Sequence, residues 1–246
     1  MKKNTMLRIA SVLLVAVLMT TCVISGTFAK YTTTDSATAS ARVAKWGVTV
    51  DVTGETAFSQ EYTNDVASAD NANAEVESTV TVVAPGTEGT LATVAINGTP
   101  EVAVEVTASA NLDLVGTLGA NAWMVGDPAA LYCPLVITVG STEFKIGNTI
   151  TTLEDLEAAV EKELIKQALG LADTNGITTT TGVSSFTATY APNNNFGTSG
   201  TDVEVTWEWA YEGNDDAKDT ALGDAANSTI AMTVSFTITQ IDTYTA

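Results

Sequence analysis

The chain has 246 residues with 29 acidic and 10 basic side chains; all the acids but only 7 of the bases follow residue 29, leaving residues 30–246 at −22. So acidic a surface repels nucleic acid and anionic membranes, both polyanions, and argues against functions that bind either. Histidine is absent and cysteine occurs only at 22 and 133. That excludes the usual His-based zinc sites, the metalloprotease helix and every His-dependent triad.

Residues 1–29 read as a signal peptide. Lys2, Lys3 and Arg8 form a positive start, Ile9 to Ile24 is apolar, and Thr27-Phe28-Ala29 puts small residues at −3 and −1 of a cut between Ala29 and Lys30. The expected destination is outside the cell, in an extracellular matrix or on the cell surface, with no membrane contact after cleavage. Cys133 is then the sole cysteine, so the exported chain must hold together by burial rather than by a disulfide. Cys133 itself, in an apolar stretch beside Pro134, reads as a buried structural thiol.

Lys30 to Val43 is extended by pattern and free of Gly and Pro, with its apolar or small set at odd positions: Tyr31, Thr33, Ala37, Ala39, Ala41 and Val43. Apolar positions then switch phase, because Trp46, Val48, Val50 and Val52 alternate on even numbers. The phase change between Val43 and Ala44 marks the expected boundary between a free segment, residues 30–43, and a single domain, residues 44–246. Within that domain Trp46 to Val52 is expected to be a core strand.

Phe58 to Ala74 reads as a loop and Ser78 to Ala84 as a β-branched strand. Ala84-Pro85-Gly86-Thr87 is a turn in which Pro presets φ and Gly supplies freedom. Gly89 to Ile96 follows, and Asn97-Gly98 is the strongest short hairpin signal, leading into Val102, Val104 and Val106. Leu135 to Val139 and Glu143 to Ile146 form a second hairpin through Gly140-Ser141. Residues 152–169 are the one predicted helix, with Thr152 as N-cap, Leu153, Leu156, Val160, Leu164 and Ala168 at helical spacing, and Gly170 as C-cap. Its amphipathicity and acidic polar face place it on a sheet's flank or edge rather than on a membrane.

Ser185 to Tyr190 is a further strand. Val203, Val205, Trp207, Trp209 and Tyr211 alternate without a break, as do Ile230, Met232, Val234, Phe236 and Ile238. One-sided alternation in so many segments predicts an all-β fold of antiparallel sheets, a β-sandwich or jelly roll with one flanking helix. The two tryptophans share a face with Val203 and Val205, which favours core over a carbohydrate platform.

Catalytic signatures are missing, and no enzymatic activity is expected. Asp215, Asp216 and Asp219 cluster after a strand; weak Ca²⁺ binding is one reading of them and a solvated acidic loop the other, since the EF-hand spacing is absent. No other cofactor is indicated.

Four pieces carry a family resemblance. Gly26-Thr27-Phe28-Ala29-Lys30-Tyr31 looks like a cleavage region for a dedicated signal peptidase, and Ala41 to Val52 is similar to a first domain strand. Val83-Ala84-Pro85-Gly86 and Ile96-Asn97-Gly98-Thr99 resemble a paired turn motif, and Ile230 to Gln240 looks like a closing strand. In this order they resemble the TasA/camelysin group of exported Gram-positive proteins, whose best-known members form biofilm-matrix fibres. The resemblance implies a jelly roll and assembly by donor-strand exchange, residues 30–43 of one copy filling a groove in the next. The expected partners are further copies of the chain, a signal peptidase during export, and other matrix components. A monomeric surface module or adhesin of the same fold is the alternative. A camelysin-like protease lacks the histidines its chemistry would need.

Overall fold

The computed structural model describes residues 11, 14, 43–53, 83–197, 201–210, 215–225, 228–242 and 244, without the side chains of residues 117, 118 and 120. The chain divides into two compact units, Met1–Val43 and Ala44–Ala246. In the first, Ser11 and Leu14 are helical and exposed. No helix of the described residues is long and apolar enough to cross a membrane.

The second unit is mostly β. Its strands are β1 (Val48–Thr53), β2 (Thr87–Gly98), β3 (Val104–Asp113), β4 (Met124–Val125), β5 (Ala130–Leu131), β6 (Leu135–Val139), β7 (Thr142–Phe144), β8 (Thr178–Thr180), β9 (Val183–Tyr190), β10 (Phe196–Gly197), β11 (Val203–Trp209) and β12 (Ala231–Gln240). Among the described residues two α-helices, α1 (Leu153–Leu169) and α2 (Asp216–Ala225), and a short 3-10 helix, Gly116–Asn121, join them. One sheet runs β1-β2-β11-β6-β7, with β10 also on β2; a second runs β12-β3-β9-β8; β4 and β5 pair separately. Every pairing is antiparallel.

Alternation explains the packing. Val203, Val205, Trp207 and Trp209 are buried while Glu204 and Glu208 are exposed, and β3 buries Val104, Val106, Ala108, Ala110 and Leu112. Both sets belong to one core with the apolar side of α1. The two tryptophans are core residues, Trp209 lying 6.0 Å from the Trp123 ring. Trp123 donates from Nε1 to Leu114 O at 2.9 Å. Cys133 is buried, and burial pushes its thiol up to about 12.

The helix prediction holds at both ends: Thr152 Oγ1 accepts from Asp155 N at 3.1 Å, and Gly170 takes the left-handed conformation with φ 65°. Its position differs from expectation. Rather than flanking one sheet, α1 contacts β3 and β9 of one and β2, β6 and β11 of the other. The reason is its wide buried face, which includes Ile165, Leu169, Glu157 and Glu161 beside the five periodic residues.

Two strand expectations also change. Asn97-Gly98 is no hairpin turn, because β2 continues through it and β3 lies in the other sheet. Gly98 is small so that three strands can meet: it pairs with Val48 on one side and Phe196 on the other. A Cβ there would stand 3.0 Å from Val48 Cγ2. Trp46 to Val52 is likewise no core strand. Among the described residues it pairs with β2 alone, which puts β1 at that sheet's border, with Trp46 at 42 % and Val50 at 39 % exposure.

Candidate functional site

Strand β12 borders the four-stranded sheet. All ten of its residues are in register with β3, from Ala231 opposite Asp113 to Gln240 opposite Val104. Among the described residues no strand pairs with its other side. Edge strands are ordinarily blunted by brevity, Pro, Lys, bulges or inward charges. The sequence AMTVSFTITQ has none of these.

The core-facing side of β12 is also incompletely covered. Met232, Val234, Phe236 and Ile238 touch the core yet are only half-buried, whereas their neighbours on β3 are fully buried. Strand β1, the border of the other sheet, touches β12 and is in the same condition, with Val48 and Val52 half-buried. Among the described residues, an apolar strip and a row of backbone groups without strand partners therefore lie along the same border.

The opposite borders are short: β7 and β8 have three residues each. Helix α1 substitutes for a longer strand there. Pairing of β3 with β9 stops at Ala110 opposite Ser184, which leaves the next N–H groups of β3 without strand partners on that side. Glu161 Oε1 accepts from Leu112 N at 2.7 Å and Glu157 Oε1 from Leu114 N at 2.8 Å.

These carboxylates are deeply placed, Glu157 at 5 % and Glu161 at 0 % exposure. Burial pushes Glu157 up to about 7; the Leu114 N–H works against this, while the Glu161, Asp113 and Glu154 charges reinforce it. Burial also raises Glu161, opposed by Ser184, Leu112 N–H and Lys162. Although Ser184 favours the charged form, no well-formed hydrogen bond reaches Glu161 Oε2. Both acids are committed to holding backbone. Sequence reasoning missed them because it assigned the helix's acids to its wet face. The signal was the row at four-residue spacing, Leu153, Glu157, Glu161, Ile165 and Leu169, which places two acids between apolar residues.

Of the expected donor residues, Tyr31, Thr33, Ala37, Ala39 and Ala41 lie outside the described residues, as do Ala29 and Lys30 of the cleavage site. Val43 is described and is 92 % exposed.

The aspartate cluster is not the loop expected from sequence but the start of α2. Asp215 O accepts from Lys218 N at 2.7 Å and Asp219 N at 3.0 Å. Asp215 Oδ1 pairs with Lys218 Nζ at 2.9 Å, and Asp219 Oδ1 accepts from Tyr132 Oη at 2.6 Å. Burial, then the Asp219 bond, raises the Tyr132 phenol. Asp216 is exposed. Asp215 and Asp219 thus face different partners, and among the described residues no three acidic, Cys or His side chains group as metal ligands.

No protein-family model, curated protein or solved structure matches the chain.

Proposed function

We propose that the chain is a secreted structural subunit of an extracellular matrix fibre, assembled head to tail by donating residues 30–43 to the open border of the next copy. The jelly-roll description of the two sheets, and export after cleavage at Ala29–Lys30, belong to the same reading. The observation that carries it is the undefended ten-residue edge of β12 above a half-covered apolar face.

The donor segment suits that border on both its faces. Its odd positions other than Asp35, namely Tyr31, Thr33, Ala37, Ala39, Ala41 and Val43, are apolar or small, and would lie over Met232, Val234, Phe236 and Ile238. Its even positions, Thr32, Thr34, Ser36, Thr38 and Ser40, bear hydroxyls, as do Thr233, Ser235, Thr237 and Thr239 on the outward side of β12. A strand added to β12 would thus continue both faces of the sheet, with Asp35 the one charged side chain on its inward side. At ~3.3 Å per residue, the segment is long enough to cover β12 from end to end. Such a contact is heterologous and propagates instead of closing.

Electron microscopy of the secreted chain tests the reading. The chain beginning at Lys30 forms filaments, while a chain lacking 30–41 stays monomeric. Indistinguishable filaments from the shortened chain would overturn donor-strand assembly. A shared monomeric state with a protected N-terminal strand would favour the surface-module alternative.

A further inference from the structure

The outward face of the β12-β3-β9-β8 sheet is unlike the rest of this acidic surface. Its register sets hydroxyls in rows across three strands: Thr237, Thr107 and Thr187 in one, Ser235, Ser109 and Ser185 in the next. Thr107, Thr187, Ser235 and Thr237 are exposed and Ser109 and Ser185 half-exposed. Only Glu105, one row further on, places a carboxylate in the middle of this field, since Asp113 turns back to accept from Val115 N and Gly116 N. The outward face of the other sheet instead presents Asp51, Glu88, Glu143, Glu204 and Glu208.

We propose that this hydroxyl face is a self-association surface on which a second copy of the chain docks sheet to sheet. Two arguments select a second copy as the occupant. First, a carboxylate only accepts hydrogen bonds and cannot satisfy its own image, whereas a hydroxyl both donates and accepts and is therefore self-complementary. Second, two chains at −22 over residues 30–246 repel each other by most approaches, and this face brings few charges together.

The size of the patch decides its use. Strands ~4.8 Å apart and rows ~6.8 Å apart give roughly 300 Å² over the three strands and the rows of Glu105, Thr107 and Ser109. A stable pair buries about 800 Å² per partner. One docking event is therefore weak, and the face acts when it is repeated, as between neighbouring filaments in register. That last use rests on the fibre reading; the docking itself does not.

The test uses the full secreted chain and the double variant Thr107→Glu, Thr187→Glu, both away from the β12 border, with Thr→Ser at the same positions as the conservative control. Self-association is followed by sedimentation at rising protein concentration in low and high salt, and filaments are imaged. The original chain associates weakly, more strongly as salt screens its acids, and its filaments bundle side by side. The Glu variant weakens association at least tenfold and leaves single filaments, while the Ser variant behaves as the original. Undiminished association in the Glu variant, with an unchanged melting curve, would overturn the proposal. So would binding of a neutral polysaccharide such as dextran through this face with no self-association. Should no filaments form, the fibre reading fails by itself, and a salt-strengthened dimer lost in the Glu variant still supports the face.

Discussion

Glu161, on the helix that touches both sheets, accepts the backbone N–H of Leu112 at 2.7 Å and so takes the place of a neighbouring strand. A buried N–H deprived of its acceptor costs about 1–3 kcal/mol. Glu161→Ala is expected to destabilise the domain by at least that amount, because it also opens a space beneath Ser184. Urea unfolding measures the loss; a change below about 0.5 kcal/mol would show that the bond is incidental.

Its companion Glu157 makes stability depend on pH. Burial lifts this carboxyl from its ordinary 4.5 to about 7. The folded chain therefore holds the proton more tightly than the unfolded one. The contribution is fully present below about pH 4.5 and is lost as pH rises to about 7. At about 1.4 kcal/mol per pH unit, the whole effect is at most about 3.5 kcal/mol. Melting curves from pH 4 to 8 should show a shallower decline for Glu157→Gln than for the original chain. Equal slopes would contradict the assignment.

Gly197 sits where β10 meets β2, with φ 87° and no room for a side chain, since a Cβ would overlap the Ile96 carbonyl. Both backbone conformation and contact oppose substitution. Gly197→Ala is expected to lose more than about 2 kcal/mol in urea unfolding. Gly182, also at positive φ but facing open space, should lose less when changed in the same way.

The start of α2 supplies a fourth check. Tyr132 Oη donates to Asp219 Oδ1 at 2.6 Å, and Lys218 Nζ lies 5.0 Å from the Tyr132 ring centroid while pairing with Asp215. Tyr132→Phe is expected to cost about 1.5–3 kcal/mol, the range of a hydrogen bond to a charged group. Because these aspartates are already engaged, millimolar Ca²⁺ should leave the melting temperature unchanged. A calcium-dependent rise that Asp219→Asn removes would restore the metal reading.

Local physics made some of this legible in sequence. Thr152 and Gly170 mark α1 because capping is chemistry between near neighbours. Alternation marks β11 and β12 because side chains in a strand change sides every residue. What alternation does not carry is which sheet a strand joins. Asn97-Gly98 thus looked like a hairpin, although the next strand crosses to the other sheet. Trp46 to Val52 has the pattern of a core strand but lies at a border, since pattern records which face is apolar and not how much covers it. The Glu157–Glu161 brace was hidden for a related reason: its need arises only where β9 ends beside β3.

The border of β12 can be challenged without altering the donor. Val234 points inward from a half-buried position, so Val234→Lys puts a charge where an added strand would lie while allowing the amine to reach water. The variant should fold and fail to polymerise. Normal filaments from a folded Val234→Lys chain would mean the donor goes elsewhere.

The most direct measurement is residue-resolved amide exchange across 231–240 in monomeric and assembled protein. Donor-strand addition predicts that the outward-pointing amides of β12 exchange rapidly in the monomer and become strongly protected on assembly, while those bonded to β3 are slow in both. Filaments in which the outward amides of β12 still exchange rapidly would contradict the account.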